Sequence, residues 1–385
     1  MPVSSDIQTL FVTAGSWHLP QTARAFEQRG ALAGLWMSDR NKGRVSAEKF
    51  KWCWSVFGLT KPLWFTPLPP YWSERFFWNS LPVWKAWLKC QRLPKCNVIH
   101  ARMGYALESF QLMDSNVLKV VDCCNSHPVT QVGYWQRELD LFAPGQRPVV
   151  PDFVFRRMTD ELALADVILC PSDFVRETMV AHGIPAEKCF VCPFGFDNQL
   201  FTPRQAIPQN PRFVFAGIIC LRKGVQYLLR AFAALKKQIP NATLVLIGGI
   251  NWEMKQELQK WGHTFEHIPF CPQSRLAAEL RRATAFVFPS CEEGLARAIV
   301  EAMGSALPVI ATHESGATTL IQDGVNGLIV RPQNVNGLAG AMQRVATDIA
   351  FNQALGQAGY ETVKNRTWQQ YGDEVLAHYR LRLSK

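Results

Sequence analysis

The C-terminal half of the chain alternates short apolar runs with segments of helical period. The run "RFVFAGII" over 212–219 is rich in β-forming residues, and "GVQYLLRAFAALKKQ" over 224–238 repeats apolar residues at intervals of three and four. The same alternation continues to residue 347. Strands that are apolar throughout and separated by helices are typical of a parallel sheet covered on both faces. We therefore predict a Rossmann-like α/β domain in this half.

The N-terminal half shows a looser form of the same alternation. The apolar runs "TLFVTAG", "NVIHA", "LKVVDCC" and "DVILCPS" each precede a helical pattern, which predicts a second Rossmann-like domain. The segment "FDNQLFTPRQAIPQNP" is rich in Pro and Asn, so we place the domain boundary near residue 203. Open parallel sheets bind ligands beyond the carboxyl ends of their strands, and two facing domains predict a site in the cleft between them.

The turn after the first predicted strand argues against two common classes of nucleotide enzyme. A dinucleotide enzyme carries GxGxxG there, but "TAGSWHLP" has the single glycine Gly15, and the chain has no Walker A loop. Hydride transfer and P-loop chemistry are therefore disfavoured. Cys189 and Cys192 form a CxxC pair without a second pair or a nearby His, which favours strand cysteines over a zinc site. The 11 cysteines are scattered, and we expect a reducing cytoplasm.

A basic, Trp-rich segment covers residues 41–96. It holds ten Lys or Arg against two Glu, and seven of the 13 Trp of the chain. Indole rings and basic side chains suit the interface of an anionic bilayer, and a solvated basic face over a Trp-rich core is the alternative. No nucleic-acid-binding signature accompanies the charge. Because no run approaches the ~18 apolar residues of a spanning helix, we expect neither secretion nor membrane insertion.

Two acids lie eight positions apart in "SCEEGLARAIVEAMG". Glu293 follows the predicted strand "AFVFPS" in a loop, and Glu301 lies about two turns into the following helix. The free N–H groups at the start of that helix favour a phosphate or a hydroxyl oxygen. A carboxylate accepts two hydroxyl donors in parallel, so one acid can hold a sugar diol and the other a second sugar. The alternative is that both are solvent-exposed acids of a helix and its cap.

This region resembles the EX7E region of the retaining glycosyltransferases of family four. The resemblance lies in "EEGLARAIVEAMGSALPVIAT" and in "SGATTLIQDGVNGLIV" downstream. In addition, "FVFAGIICLRKGVQYLLRAF" resembles the family's strand, Lys-Gly and helix segment, and "ADVILCPSDFV" and "VCPFGFDNQLFTP" resemble the end of its first domain. The segment "TWQQYGDEVLAHY" resembles the family's closing helix. Residues 97–380 are covered in this way.

The resemblance implies the GT-B fold. In this fold, two Rossmann-like domains with parallel sheets face an interdomain cleft, and a C-terminal helix crosses back to the N-terminal domain. For this chain, the expected limits are 1–203 for an acceptor-side domain with an insertion at about 41–96, 204–365 for a donor domain and 366–385 for the crossover helix.

The resemblance also implies roles for the residues of the donor side. Glu293 would contact hydroxyls of the transferred sugar, Glu301 would hold the ribose diol of the nucleotide, and Lys223 would neutralise the departing diphosphate. The residues whose backbone is expected near the donor are Gly217, Gly294, Leu295 and Ala296. Prepositioned cations and amides stabilise charge that develops on a leaving group, so we expect no metal or other cofactor.

On the acceptor side, the resemblance points to two residues. His127 in "CCNSHP" falls where the family places a His near the sugar and the acceptor, and a structural histidine is the alternative. Gly15 would border the diphosphate or the acceptor, and an ordinary turn glycine is the alternative.

Several positions depart from the family pattern. Ile218 stands where the family commonly has an Arg, and Arg222 either supplies the missing charge or is an ordinary surface arginine. Ala296 replaces a glycine and is followed by Arg297, and Thr319 occupies a position that often carries an acid. These changes leave both predicted donor-site acids in place.

The predicted function is transfer of a sugar from a UDP- or GDP-sugar to an acceptor hydroxyl with retention at the anomeric carbon. We expect a saccharide or lipid-linked acceptor in cell-envelope polysaccharide, lipopolysaccharide or glycolipid synthesis, and a cytoplasmic enzyme with peripheral contact to the inner face of the membrane. The alternatives are a GT-B nucleotide-sugar epimerase and a catalytically weak sugar-binding scaffold. Nucleic acid is not an expected partner.

Overall fold

The computed structural model describes residues 6–15, 18–40, 44–53, 81–148 and 150–384. Most of the predicted Trp-rich insertion therefore lies outside the described residues. In the described part of the chain, no helix combines the length and the apolar character that a bilayer crossing requires.

The N-terminal sheet of the described chain has seven strands, and every pairing between them is parallel. They are β1 (Thr9–Thr13), β2 (Leu32–Met37), β3 (Phe50–Trp52), β4 (Val98–Arg102), β5 (Leu118–Asp122), β6 (Val167–Cys170) and β7 (Cys189–Val191). Their order in the sheet is β3-β2-β1-β4-β5-β6-β7. β1 and β6 are buried over their whole length because helices cover both faces of the sheet, which explains the continuous apolar runs in the sequence.

The C-terminal sheet of the described chain has six parallel strands. They are β8 (Arg212–Ala216), β9 (Thr243–Ile247), β10 (Glu266–Ile268), β11 (Ala285–Phe288), β12 (Val309–Thr312) and β13 (Leu328–Val330). Their order is β10-β9-β8-β11-β12-β13, so the direction of winding reverses between β8 and β11. In the N-terminal sheet, the same reversal falls between β1 and β4. Loops that leave neighbouring strands at such a point open a crevice for ligands.

The helices lie between the strands along the chain. Those of the N-terminal part are α1 (Leu19–Gln28), α2 (Leu81–Lys89), α3 (Leu107–Leu112), α4 (Pro128–Phe142), α5 (Asp152–Leu164) and α6 (Asp173–Ala181). Those of the C-terminal part are α7 (Val225–Gln238), α8 (Lys255–Gln259), α9 (Gln273–Arg281), α10 (Arg297–Gly304), α11 (Val335–Thr347), α12 (Ile349–Val363) and α13 (Trp368–Leu383). The predicted fold class, α/β with two Rossmann-like domains of the GT-B type, is confirmed.

The last helix, α13, packs against the N-terminal domain. Arg29, which directly follows α1, pairs with Asp373 of α13 at 2.7 Å, and Gly372 lies so close to Ala25 that a Cβ at position 372 would crowd the Ala25 side chain. The Tyr379 hydroxyl also reaches His100 of β4 at 2.8 Å. The domain limits near 203 and 365 remain a prediction. β7 ends at residue 191 and β8 begins at residue 212.

Candidate functional site

The loop after β8 brings Lys223 to the carboxyl end of the C-terminal sheet. The chain leaves β8 through Gly217 and makes one turn of 3-10 helix that ends at Gly224, whose φ of 69° lies in the left-handed region. A Cβ on Gly224 would collide with the Pro289 carbonyl, just after β11. A Cβ on Gly217 would lie 3.2 Å from the Lys223 ammonium group. The predicted residues Gly217 and Lys223 therefore lie together at the switch point.

Lys223 meets Glu293 in a cluster of four charged residues, which we call the paired cluster: Arg222, Lys223, Glu292 and Glu293. The Lys223 Nζ lies 3.0 Å from Glu293 Oε2, and Arg222 Nη1 lies 3.7 Å from the same oxygen. Burial raises the pKa of Glu293, but Lys223 and Arg222 outweigh it and hold that pKa below its ordinary value. Glu293 is therefore an ionised carboxylate at neutral pH, next to two cations.

Glu292 was not predicted as a site residue. It is fully buried, and its Oε2 lies 2.6 Å from Arg222 Nη1. Its Oε1 accepts hydrogen bonds from the Ser126 amide at 3.0 Å and from the Ser126 hydroxyl at 2.7 Å. Glu292 thus joins the loop after β11 to the loop after β5. The "EE" doublet was visible in the sequence, but the partners of the first acid were not.

Arg222 is not an ordinary surface arginine, so that alternative is wrong. Its side chain is 17% exposed and bonds both Glu292 and the Glu292 backbone carbonyl. Burial opposes the charge, but Glu292 and Glu293 raise the pKa of Arg222 above its usual value. Ile218, by contrast, is half exposed. A permanent cation therefore lies beside Glu292 and Glu293, although the position where the family commonly has an Arg carries Ile218.

Glu301 lies further along α10. Its Oε1 accepts a hydrogen bond of 3.3 Å from Gln273 at the start of α9, and burial raises its pKa against the attraction of Arg297. Glu293 and Glu301 are 9% and 6% exposed, so the alternative of two solvent-exposed acids is wrong.

The loop from Gly294 to Ala296 lies against the N-terminal domain. A Cβ on Gly294 would collide with the Cys124 carbonyl, and the Gly294 carbonyl accepts a hydrogen bond from the Ser172 hydroxyl. The Gly294 amide bonds the Glu293 carboxylate. Leu295 and Ala296 are buried, and Ala296 is the N-cap of α10. The tight approach of two backbones explains why glycine is needed at position 294.

His127 lies at the N-terminus of α4 and is 6% exposed. Its Nδ1 accepts the Val129 amide at 3.4 Å, and its ring stacks on His182 with centroids 4.1 Å apart. Burial and His182 lower the pKa of His127 to about 4. The ring is therefore neutral at pH 7, and with Nδ1 acting as acceptor its proton lies on Nε2.

Gly15 and Thr319, two further positions from the sequence analysis, each form hydrogen bonds in the described chain. Gly15 is buried at the end of β1, where its amide and carbonyl both bond the Thr13 hydroxyl, at 3.3 and 2.9 Å. The Thr319 hydroxyl accepts the amide of Asp173 at the start of α6, at 2.8 Å. Thr319 thus links the C-terminal domain to the N-terminal domain.

Comparison with known proteins gives a family match and more distant relatives. Residues 210–348 match the family model of the Glycosyl transferases group 1. The chain is 26% identical over 243 residues to D-inositol 3-phosphate glycosyltransferase of Thermobifida fusca, covering 57% of this chain and 56% of the relative. It is 27% identical over 234 residues to a GDP-mannose-dependent alpha-(1-6)-phosphatidylinositol monomannoside mannosyltransferase of Mycobacterium tuberculosis, covering 54% and 59%. The chain thus spans little more than half the length of these relatives.

Several solved structures match over nearly the whole chain. The HepE protein of Anabaena in complex with UDP and glucose superposes with a TM-score of 0.69 at 17% identity, covering 97% of this chain and 99% of HepE. At this identity, the likeness concerns the fold alone.

Proposed function

We propose that this chain, which belongs to the group 1 glycosyl transferases, moves a sugar from a nucleotide-sugar donor to an acceptor hydroxyl with retention of the anomeric configuration. The observation that carries the proposal is the paired cluster. It combines an ionised carboxylate, an ammonium group and a buried guanidinium at the switch point of a parallel sheet. An anionic ligand with hydroxyl groups needs cations for its negative charge and a carboxylate for its hydroxyls. A nucleotide sugar has both a diphosphate and hydroxyl groups.

On the donor side, Lys223 is proposed to bind the diphosphate. Its ammonium group has three N–H donors, so it can keep its contact with Glu293 and still donate to a phosphate oxygen. The charge that develops on the leaving diphosphate is then stabilised by a cation already in place. Arg222 adds a second positive charge beside Glu293, and the proposed function includes no metal or other cofactor.

Glu293 and Glu301 are proposed to bind the two sugars of the donor. Glu293 is ionised and can accept hydrogen bonds from hydroxyls of the transferred sugar. Glu301, held by Gln273, is proposed to accept the ribose diol. The amides at Gly294, Leu295 and Ala296, where α10 begins, are proposed to face the sugar or the diphosphate.

On the acceptor side, His127 is proposed to donate its Nε2–H to the sugar or the acceptor. Its neutral state follows from burial and from the stacked His182. Gly15 is proposed to border the same space. We assign no protein base, because a donor phosphate oxygen can take the proton of the acceptor hydroxyl on the same face of the sugar.

The proposed donors are UDP- and GDP-sugars. The Mycobacterium tuberculosis relative is named as dependent on GDP-mannose, and the HepE structure contains UDP. The proposed acceptor is a saccharide or a lipid-linked saccharide of the cell envelope, reached at the inner face of the membrane through the basic, Trp-rich segment. A GT-B epimerase and a weak sugar-binding scaffold remain the competing functions. Detection of label transfer from a radioactive donor to a cell-envelope fraction would argue against both.

A thermal-shift screen with UDP, GDP, ADP and TDP sugars tests donor binding. A ligand at 100 times its dissociation constant stabilises the native state by about 2.7 kcal/mol. We expect one nucleotide class to raise the unfolding temperature of the wild type and of the control Glu361→Gln, an exposed acid on α12. We expect Glu293→Gln to lose most of that shift. A shift that persists in Glu293→Gln would contradict the proposed role of the cluster.

The proposed membrane contact has its own test. The wild-type protein should float with anionic vesicles at low salt and not with neutral vesicles, because basic residues and indole rings bind the anionic interface. Absence of flotation at low salt would remove the membrane proposal and leave the transfer proposal intact.

A further inference from the structure

A second histidine, His18, lies in the same interdomain region and has no role in the function proposed above. It directly precedes α1, and its Nε2 lies 2.7 Å from Asp122 Oδ2 at the end of β5. The same carboxylate oxygen lies 3.0 Å from His100 Nε2, and His100 Nδ1 lies 2.8 Å from the Tyr379 hydroxyl of the last helix. Four buried side chains therefore form one hydrogen-bonded chain.

The chemistry of these four side chains fixes the position of each proton in their hydrogen bonds. Burial would raise the pKa of Asp122, but its interactions with the two imidazoles hold it well below its ordinary value, so the carboxylate is ionised. A carboxylate only accepts hydrogen bonds, and both imidazoles must therefore carry a proton on Nε2. Burial lowers the pKa of His18 despite the neighbouring Asp122. His18 is consequently neutral, and its Nδ1 carries a lone pair.

The lone pair of His18 lies next to Cys124, a residue whose backbone contacts the other domain at Gly294. Its Nδ1 lies 4.0 Å from the Cys124 thiol, which is a weak hydrogen-bond donor. The Cys124 carbonyl in turn occupies the space beside Gly294, next to Glu293. From the other domain, Arg297 at the start of α10 is close enough to lower the pKa of His18 and to attract Glu301. His18 thus belongs to the N-terminal domain and lies near the residues of the other domain that are proposed to bind the donor.

We infer that His18 binds the acceptor: its Nδ1 accepts a hydrogen bond from a hydroxyl of the acceptor saccharide, and Asp122 positions the ring. This inference rests on the proposed function. A carboxylate that holds the far nitrogen of an imidazole fixes both its orientation and its tautomer, as in the Asp–His pairs of hydrolases. A saccharide hydroxyl is a better donor than the Cys124 thiol and would replace it. No proton is transferred to His18, because the proton of the reacting hydroxyl goes to the leaving diphosphate.

A metal site is the competing interpretation of these residues. His18, Asp122 and Cys124 have ligand atoms within 4.8 Å of one another, and they are a group of the described chain that could hold an ion. However, the 2.7 Å between His18 Nε2 and Asp122 Oδ2 is a hydrogen-bond length. Burial also raises the pKa of the Cys124 thiol to about 12, which disfavours the thiolate that a metal requires. The geometry favours a hydroxyl ligand.

The tautomer can be tested without any substrate. Long-range proton–nitrogen NMR of the wild-type protein at pH 7 should show His18 with Nε2 protonated and Nδ1 unprotonated. The Asp122→Asn variant should disturb this pattern, because an amide can donate to one of the two Nε2 atoms. A wild-type His18 that carries its proton on Nδ1 would overturn the inference.

The binding role is tested by kinetics with UDP-glucose and GDP-mannose as donors and myo-inositol and methyl α-mannoside as acceptors. With the wild-type protein's preferred pair, we expect His18→Gln to raise the acceptor KM roughly tenfold, as the loss of one neutral hydrogen bond implies. The donor KM and the rate of donor hydrolysis by water should stay within a factor of about two, because one lost acceptor contact leaves donor binding unchanged. The exposed His263→Gln is the matched control and should change none of these values.

The outcomes separate this inference from the proposed function. Wild-type transfer with an unchanged acceptor KM in His18→Gln would overturn the role of His18 and leave the transferase standing. An equal rise of donor and acceptor KM would indicate a structural role and would also overturn the inference. If the wild-type protein neither binds nor consumes any nucleotide sugar, the proposed function fails, and the acceptor role of His18 fails with it.

Discussion

The two sides of the cleft use different chemistry. The donor side holds two cations and two anions in direct contact, and each charge has an opposite charge within 4 Å. The acceptor side instead presents two buried, neutral imidazoles, His127 and His18, whose protons are fixed by hydrogen bonds. The ammonium and carboxylate groups of the paired cluster suit a ligand that has both phosphates and hydroxyls. The neutral imidazole rings suit a ligand that has hydroxyl groups alone. This difference is the basis on which we propose that the donor binds one side and the acceptor the other.

The largest expected effect is on the donor side. Lys223→Ala removes the ammonium group proposed to stabilise the leaving diphosphate, and loss of one such group typically lowers the rate by roughly 100-fold to 1,000-fold. We expect kcat/KM for the wild-type donor to fall by that factor. Lys237→Ala, an exposed lysine on α7, is the matched control. A kcat/KM for Lys223→Ala within threefold of the wild-type value would contradict the proposal that Lys223 stabilises the charge on the leaving diphosphate.

Glu292→Gln tests whether the paired cluster also supports the fold. The substitution leaves Arg222 buried without its closest carboxylate, and breaking a buried pair in this way costs about 3 kcal/mol. We expect the free energy of unfolding, measured by urea denaturation, to fall by about that amount. Ser126→Ala removes a single hydroxyl donor to the same carboxylate and should cost about 1 kcal/mol. Equal losses of unfolding free energy in Glu292→Gln and Ser126→Ala would contradict a stabilising role for the charge of Glu292.

The acceptor side should respond to pH instead. Because the pKa of His127 is about 4 when folded and about 6.5 when unfolded, the unfolded chain binds more protons between these values. The contribution of His127 to the free energy of unfolding is therefore complete above pH 6.5 and is lost as the pH falls towards 4. We expect the wild type to lose about 2 kcal/mol more than His127→Gln over this range. Parallel stability curves for the two proteins would contradict a neutral, buried His127.

The smallest expected effect concerns a neutral contact between the two sides. Thr319→Ala removes the hydroxyl that accepts the Asp173 amide, and such a bond contributes about 1 kcal/mol. Thr319→Ser keeps the hydroxyl and should restore the free energy of unfolding. A loss above 3 kcal/mol for Thr319→Ala would indicate that Thr319 has a larger structural role than one hydrogen bond explains.

The sequence predicted the parts of the site that follow from local pattern. The pattern placed Glu293 in the loop after a predicted parallel strand, and the resemblance added Lys223 after another. The carboxyl ends of such strands meet at one edge of the sheet, where the two side chains lie 3.0 Å apart. The fold class was predictable for the same reason, since continuous apolar strands alternate with helices of clear period.

The remaining features depend on how distant parts of the chain meet. Ser126 and Glu292 are 166 positions apart, and His100 and Tyr379 are 279 apart. Neither pair has a local signal, because the contact exists only once the two domains and the last helix have taken their places. The resemblance therefore pointed to His127, but the sequence did not indicate that Asp122 would bind His18 and His100.

The most direct test of the central claim is a crystal structure of the protein with the nucleoside diphosphate that the thermal-shift screen selects. The account predicts a phosphate oxygen within about 3 Å of Lys223 Nζ, as a charge-assisted hydrogen bond requires, with the ribose against Glu301. A nucleotide bound elsewhere, with Lys223 still engaged only by Glu293, would contradict it.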